Sequence, residues 1–308
     1  MQTTPQIRRR RLALGLGMAA LLAFIVGSSM GAAGKSDSAG EVAVAAPAEL
    51  PRGGTELLPD HLLVGYYGAP QDEALGALGI GSPAEASAEL EAQADAYAGK
   101  RPIQPFFELL ATVANAAPGE DGTYRTRQPS AVIEEYLAQA REDENLLVLD
   151  IQPGRADFTD EVAQLEPYLR EPDVGLGLDP EWHVGPDEVP GEVIGSMEAS
   201  EVNAIAGRMS QIVQEEGLPQ KLLIVHRFTA DMIANPEDLQ SFPGVAIVLN
   251  VDGFGDIANK TAKYADLHAA RHTGLYSGFK LFYSEDLGLM TPEDVLGLRP
   301  RPDLVVYE

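Results

Sequence analysis

One short apolar run ends in a group of side chains that could do chemistry. The run Val174–Leu178 has the composition of a strand buried on both faces, and Asp179, Glu181, Trp182 and His183 follow it. In an extended strand, residues two apart point the same way, so Asp179 and Glu181 would share one face. A strand-end turn with solvated acids is the simpler explanation. Two carboxyl groups beside the single tryptophan of the chain favour a functional site.

Two carboxyl groups are sufficient for glycoside hydrolysis, because one can donate a proton while the other acts as nucleophile or base. Glu181 is the candidate acid, since a nearby ionised Asp179 would raise its pKa through repulsion between like charges. The partner carboxylate could be Asp252, which we place in the catalytic set with Asp179, or else Asp150 or Glu108. The spacing of the residues does not choose among these three.

These residues lie within an alternation of short apolar runs and helical segments. Eight predicted strands with intervening helices indicate the α/β class and a (β/α)8 barrel of the TIM type, with the last helix missing. An open doubly wound sheet is the alternative, but no glycine-rich dinucleotide fingerprint follows the first strand. The strands are predicted at 61–67, 103–109, 146–152, 174–184, 221–227, 245–252, 278–283 and 303–307.

Helical segments are predicted between most of these strands. The first begins at Ser82, where Glu85 can complete a capping box, and the last begins at Thr291. The others are predicted at about 130–143, 159–169, 198–216, 229–240 and 256–271. Chemistry in such barrels lies at the C-terminal ends of the strands, which is where the polar residues of this sequence are concentrated.

The strand ends carry a set of polar and aromatic residues that suits carbohydrate. Aromatic rings stack on the apolar face of a sugar, and acids accept hydrogen bonds from its hydroxyl groups. Some of these residues could merely buttress loops, and a histidine and an arginine in a barrel core often pair with a carboxylate. The predicted substrate-binding residues are Tyr67, Glu108, Asp150, Gln152, Trp182, His183, His226, Arg227, Asn250, Lys280, Tyr283 and Tyr307.

The N-terminal region reads as a targeting segment followed by a linker. Four consecutive arginines precede an uncharged stretch, so residues 1–33 are predicted to be a signal peptide or an N-terminal membrane anchor. Residues 34–58 are rich in Ala, Gly, Ser, Pro and Glu, which predicts a flexible linker before a barrel domain at 59–308. The expected location is outside the cytoplasm, either secreted or anchored at the cell envelope.

The amino-acid composition limits the classes of ligand and partner that the protein can bind. The formal net charge of −25 repels nucleic acid, so no nucleic-acid partner is predicted. The chain contains no cysteine, which excludes disulfides, thiol catalysis and cysteine-ligated zinc. No His-x-His or His-Glu-x-x-His motif is present, so neither a zinc site nor any cofactor is predicted, although a hard cation such as Ca²⁺ could bind among the acids.

Two stretches invite a family comparison. Gly65-Tyr66-Tyr67 and Gly177-Leu178-Asp179-Pro180-Glu181-Trp182 resemble the chitinase-like barrels of glycoside hydrolase family 18, whose fourth strand ends in D-x-x-D-x-D-x-E. Asp179 and Glu181 match the last two acidic positions, whereas Val174 and Gly177 occupy the first two. The resemblance implies that Glu181 is the acid and Asp179 its supporting residue. Lysozyme-like family 25 barrels also carry Asp-x-Glu on this strand.

Residues 61–308 as a whole also resemble a family of exported actinobacterial proteins, which implies export and no particular activity. Two hypotheses follow from the sequence. The first is an exported glycoside hydrolase that acts on cell-envelope or extracellular polysaccharide. The second is a non-catalytic surface protein that binds a glycan or a protein with the same pocket, and the departures from the family 18 motif favour it.

Overall fold

A computed structural model describes residues 48–269 and 273–308. Eight parallel strands form a closed barrel, because the first strand pairs with both the second and the eighth. The predicted (β/α)8 architecture is therefore confirmed. The strands are β1 Leu62–Gly68, β2 Ile103–Ala114, β3 Leu146–Ile151, β4 Val174–Leu178, β5 Lys221–Arg227, β6 Val245–Val251, β7 Tyr276–Leu281 and β8 Leu304–Tyr307.

Six α-helices surround the barrel in the described part of the chain. Ser82 and Glu85 form the predicted capping box at the first helix, and Thr291 and Asp294 form another at the last. The helices are α1 Pro83–Asp95, α2 Ser130–Glu142, α3 Phe158–Leu169, α4 Ala199–Glu216, α5 Ile257–Leu267 and α6 Pro292–Gly297.

The helix predicted at 229–240, between β5 and β6, is wrong. This segment contains two short 3-10 turns, Ala230–Met232 and Pro236–Asp238, separated by the two-residue strand Ile233–Ala234. Asn235 adopts a left-handed conformation with φ of 52°, and Pro236 after it has no backbone N–H to donate. These two residues stop a helix from propagating. The segment instead pairs with the short strand Met197–Glu198 that precedes α4.

Alternate residues of each strand point into the barrel and out towards the helices. The inner layer includes Leu63, Phe106, Val148 and Ile224, whereas the outer neighbour Leu223 packs under the helices. Both faces are apolar through the body of the barrel, which explains why the strands read as continuous hydrophobic runs. Polar side chains therefore stand out when they occur at inner positions.

The segment before β1 packs against the bottom of the barrel. Leu50, Leu57 and Leu58 are buried with the inner residues of the strands, and Gln220 accepts hydrogen bonds from the backbone N–H groups of Leu57 and Leu58 at 2.8 Å. The prediction of a flexible linker through residue 58 is therefore wrong for 48–58. The prediction failed because the composition of this segment is dominated by small and polar residues, although it contains three leucines that pack against the barrel.

The remaining N-terminal predictions fall on residues that the structure does not describe. The predicted signal peptide or anchor at 1–33 and the first part of the predicted linker, 34–47, lie outside the described residues. Within 48–269 and 273–308, no helix is both long enough and apolar enough to cross a membrane.

Candidate functional site

Polar side chains converge at the C-terminal end of the barrel because they occupy inner positions near the ends of different strands. Two glycines make room for two of them. A β-carbon at Gly177 would lie 2.4 Å from an Asp150 carboxylate oxygen, and one at Gly278 would lie 2.6 Å from the Asn250 side-chain oxygen. The structure brings together the predicted residues Tyr67, Glu108, Asp150, Gln152, Asp179, His226, Asn250, Asp252 and Lys280.

His226 is the centre of this polar group. Its Nε2 lies 3.0 Å from Glu108 Oε1 and its Nδ1 lies 3.0 Å from Asp252 Oδ2, and the imidazole is fully buried. Burial alone would lower the pKa of His226, but the two carboxylates outweigh burial and raise the pKa well above its usual value. Between these carboxylates the ring holds a proton on each nitrogen, and its orientation is fixed from both sides.

Lys280 supplies the second buried cation. Its Nζ lies 3.3 Å from Asp252 Oδ2, 2.6 Å from Glu308 Oε2 and 3.5 Å from the centre of the Tyr67 ring. Burial would lower the pKa of Lys280, but Asp252 and Glu308 raise it well above its usual value. Burial opposes ionisation of Asp252, yet Lys280 and His226 more than offset it and hold the pKa of this carboxyl below its usual value.

Asp179 belongs to the same polar group and is held by neutral donors. Its Oδ2 accepts hydrogen bonds from Tyr67 Oη at 3.3 Å and from Gln152 Nε2 at 3.2 Å. The Gln152 amide also donates to Tyr67 Oη at 3.1 Å, so the three side chains form a closed triangle. Burial raises the pKa of Asp179, with Asp252 adding to the increase. Asp179 is thus easier to protonate than Asp252.

Glu181 lies above these groups, in a cavity of about 570 Å³ at the mouth. Burial raises the pKa of Glu181 to about 9, and the nearby Asp179 and Asp252 contribute to the increase. Its carboxyl group is therefore protonated at neutral pH, in agreement with the direction expected from the sequence. The cavity is lined by Tyr67, Leu110, Gln152, Glu181, Trp182, Phe228, Asp252, Phe254, Lys263, Lys280, Phe282 and Glu308, among others.

Asp150 is the least satisfied carboxyl group in the barrel. Both of its oxygens are buried and neither has a hydrogen-bond partner among the described residues. Burial raises the pKa of Asp150 to about 8, and Asp179 and Glu108 add to the increase while His226 opposes it. Asp150, Glu108 and His226 each offer one atom to a cluster in which all three atoms lie within 4.8 Å of one another, so these residues could hold a metal ion.

Tyr283 and Tyr307 lie away from the mouth, contrary to the prediction. Their rings stack on each other at 5.2 Å outside the barrel, where Tyr307 Oη lies 2.6 Å from Tyr97 Oη and Tyr283 contacts Tyr66. The prediction misplaced them by one residue in strands whose side chains alternate in direction. The residues beside them, Phe282 and Glu308, line the cavity instead.

Arg227 and His183 also lie apart from the cavity. Arg227 follows the inward-pointing His226, so it faces the outside of the barrel, where its Nη2 donates to the Ala230 carbonyl at 3.3 Å. His183 faces a separate surface groove with Arg155, and its Nδ1 lies 2.9 Å from the Ser196 carbonyl. Neither side chain is positioned to contact a ligand bound beside Glu181.

The sequence reasoning missed several residues that line the cavity. Phe228 and Phe254 are aromatic, Lys263 on α5 is cationic, and all three lie in loops or helices after the strands rather than on the strand ends. Glu308 is absent from the predicted set because the prediction assigns Tyr307 as the inward residue of β8. Strict alternation from the buried Leu304 and Val306 would have identified Glu308 as inward-facing.

No family model matches the chain, and no curated protein matches its sequence. Among solved structures, a similar chain is the Clostridial cellulose synthase subunit Z from Clostridioides difficile, with 9% sequence identity and a TM-score of 0.38. That match covers 78% of this chain and 74% of the other chain. A similarity this low carries no argument about function, and the assignment of a barrel stands on the pairing of the strands.

Proposed function

We propose that this barrel is a glycoside hydrolase in which Glu181 is the general acid. The observation that carries the proposal is the position of the Glu181 carboxyl group, which lines an aromatic cavity at the C-terminal mouth. A general acid must hold its proton at the working pH, and the raised pKa of Glu181 meets that requirement. Glu181 also borders open space, so its proton can reach the glycosidic oxygen of a bound sugar.

Asp252 is the proposed partner carboxylate. It lines the same cavity and lies beside Lys280, whose positive charge supports a carboxylate in its ionised form. Glycoside hydrolysis uses one ionised and one protonated carboxyl group, and Asp252 and Glu181 line the same cavity. Asp179 is the proposed supporting residue, held by Tyr67 and Gln152 close enough to Glu181 to influence its ionisation.

The cavity suits a carbohydrate ligand. Trp182, Phe228, Phe254 and Phe282 provide apolar rings for stacking on a sugar, while the carboxyl groups accept hydrogen bonds from hydroxyls. A volume of about 570 Å³ falls within the range of ordinary ligand sites. The substrate class that we propose is a neutral cell-envelope or extracellular polysaccharide. We also propose that the protein is exported from the cytoplasm and is related to glycoside hydrolase family 18.

The test is a polysaccharide digestion screen on the wild-type protein, followed by the Glu181→Gln variant on any substrate found. Glutamine keeps the shape of the side chain but cannot deliver a proton, so the rate should fall by about 10²–10⁴-fold while binding of the glycan is retained. Glu134→Gln, on the exposed face of α2, is the matched control and should keep full activity. Unchanged activity in Glu181→Gln would exclude Glu181 as the acid.

One observation favours a second candidate, a non-catalytic glycan-binding protein. Both oxygens of Asp252 already have partners: Oδ2 contacts His226 and Lys280, and Oδ1 accepts from the Gly253 N–H. A carboxylate held in this way would have to exchange a partner before it could attack a sugar or activate a water. Binding of a polysaccharide with no cleavage by the wild-type protein would support this second function.

A further inference from the structure

We infer that Glu108, Asp150 and His226 form a binding site for a divalent transition-metal ion, Zn²⁺ or Mn²⁺, in the interior of the barrel. The three residues come from β2, β3 and β5, and all three side chains are fully buried. This site is separate from Glu181 and stands whether or not the barrel hydrolyses a polysaccharide. No sequence motif indicates this metal site, because its three ligands come from strands that are far apart in the chain.

The distances suit a shared ion. One ligand atom from each residue lies within 4.8 Å of the other two, and His226 Nε2 lies 3.0 Å from Glu108 Oε1. Ligand atoms about 2.0–2.2 Å from a zinc ion are separated from one another by roughly 3–3.5 Å. The side chains therefore need only small adjustments to close around an ion.

The surroundings of His226 match those of a metal-binding histidine. Such a histidine usually donates its second ring N–H to a carboxylate, which fixes the tautomer and the direction of the ring. His226 Nδ1 lies 3.0 Å from Asp252 Oδ2, so that supporting contact is already in place. A metal ion at Nε2 would replace the proton on that nitrogen and leave the Nδ1 contact intact.

Unsatisfied acceptors point to the same position. Both oxygens of Asp150 and the Oε2 of Glu108 are buried without a hydrogen-bond partner among the described residues. A buried carboxylate that lacks donors costs several kcal/mol, so such groups are normally paired or bound to a metal. Gly177 leaves the space that Asp150 occupies, since a β-carbon there would lie 2.4 Å from Oδ1.

The balance of charge agrees with a bound cation. In the described part of the barrel interior, Glu108 and Asp252 pair with His226, and Asp252 also pairs with Lys280, which contacts Glu308 as well. Asp150 has no cationic partner among the described residues, so a divalent ion would supply the positive charge that lets it ionise.

The donor set selects the kind of ion. Mg²⁺ and Ca²⁺ prefer all-oxygen sites, whereas an imidazole nitrogen beside two carboxylates suits Zn²⁺ and Mn²⁺. Three protein ligands leave at least one further coordination position for a water molecule. Because the site is buried, the ion would be taken up as the chain folds rather than exchanged at the surface.

The experiment is a refolding comparison on the full chain, purified without a metal-affinity tag. Protein unfolded and refolded with Zn²⁺ or Mn²⁺ should contain one metal ion per chain by elemental analysis after dialysis. Its Tm should exceed that of protein refolded with a chelator by several degrees, and Mg²⁺ should not replace the transition metal. Metal-free protein after refolding with both ions, with the same Tm as the chelator sample, would overturn the inference.

Two variants distinguish metal binding at this site from nonspecific metal binding to an acidic protein. Asp150→Asn keeps the shape of the side chain but removes its charge, so it should lose the bound metal and the response of its Tm to metal. Glu181→Gln removes a carboxyl group from the same end of the barrel and should retain both. If Asp150→Asn still contains one metal ion per chain and its Tm still responds to metal, Asp150 is not a ligand and the inference is wrong. If Asp150→Asn does not fold, the wild-type refolding comparison decides.

Discussion

Carboxyl groups of the same chemical type behave differently within one small region of this barrel. Lys280 and His226 keep Asp252 ionised, while burial and neighbouring acids keep Glu181 protonated at neutral pH. The difference comes from the contacts of each group, because the intrinsic pKa values of Asp and Glu are nearly equal. Position in the fold therefore determines which carboxyl group is protonated and which is ionised.

The raised pKa of Glu181 predicts a pH-dependent effect of Glu181→Gln on stability. The folded state favours the protonated form, so the contribution of Glu181 is complete below its usual pKa of 4.5 and is lost as the pH rises towards about 9. Glutamine imitates the protonated form at every pH. The pKa shift corresponds to about 1.4 kcal/mol for each pH unit between 4.5 and 8, so the Tm of the variant should exceed that of the wild type by several degrees or more at pH 8.

Thermal melts at pH 4 and pH 8 provide the measurement. At pH 4 both proteins carry an uncharged group at position 181, so their Tm values should agree. The Glu134→Gln control should show no difference from the wild type that grows with pH. A variant less stable than the wild type at pH 8 would mean that Glu181 stabilises the fold as a carboxylate.

At the scale of the elements, the inner layer of the barrel depends on pairing large residues with glycines. A β-carbon at Gly65 on β1 would lie 2.3 Å from the Phe106 ring on β2, which is rigid and fully buried. Gly65→Ala should therefore destabilise the protein by about 1–3 kcal/mol through overpacking. Gly297→Ala, where no atom lies within 4 Å of the added carbon, is the control and should change stability little.

Urea denaturation of single and double variants tests this assignment. Phe106→Leu replaces the ring with a smaller side chain and should relieve part of the clash. The double variant Gly65→Ala/Phe106→Leu should therefore be more stable than the sum of the two single effects predicts. Purely additive free energies of unfolding would show that Gly65 and Phe106 do not compete for the same space.

A buried ion cluster joins the loop after β2 to α3. Glu161 is buried on α3 and accepts from Arg125 Nε at 2.8 Å and from Arg127 Nε at 2.7 Å, both on a short antiparallel strand that extends the barrel sheet at β2. Glu161→Gln removes the counter-charge of Arg127 and leaves Arg125 with only the exposed Asp121, whose Oδ2 lies 3.0 Å from Arg125 Nη1. The expected loss is about 3 kcal/mol, at the lower end for a broken buried pair because Arg127 keeps access to water.

Asp160→Asn is the matched control for this cluster, since Asp160 is exposed and adjacent on α3. Its effect should stay within about 0.5 kcal/mol. Urea midpoints for the two variants provide the comparison. Equal midpoints would indicate that water replaces the Glu161 contacts without loss.

At the scale of the whole molecule, the bottom of the barrel is closed by residues from outside the strands. Leu50, Leu57 and Leu58 bury their side chains there. A chain that begins at Ala48 should therefore fold with a single cooperative transition, whereas a chain that begins at Asp60 should be much less stable. Each lost leucine contributes about 2–5 kcal/mol by analogy with leucine-to-alanine changes in protein cores.

Urea denaturation of the two truncated chains measures this contribution. The Gln220→Ala variant of the full chain removes the acceptor for the Leu57 and Leu58 N–H groups and should destabilise by about 1–3 kcal/mol. Equal midpoints for the chains beginning at Ala48 and Asp60 would show that the three leucines do not close the barrel.

The barrel fold could be predicted from the sequence alone, because eight apolar runs separated by helical segments and capping boxes are local signals. The period of two that a strand imposes also placed Asn250 and Asp252 on one face. It does not apply to Asp179 and Glu181, because β4 ends at Leu178 and Glu181 lies in the 3-10 turn Pro180–Trp182. The composition of 229–240 predicted a helix that does not form, because Asn235 and Pro236 prevent it.

The contacts of the site were decided only by the tertiary structure. His226 meets Glu108 across 118 residues of sequence, and no local pattern encodes a contact that depends on the order and register of strands. The inward direction of Glu308 rather than Tyr307 follows from where β8 pairs with β1 and β7. The ionisation of each carboxyl group also depends on burial and on charges from other strands, so the site acquires its chemistry only when the barrel closes.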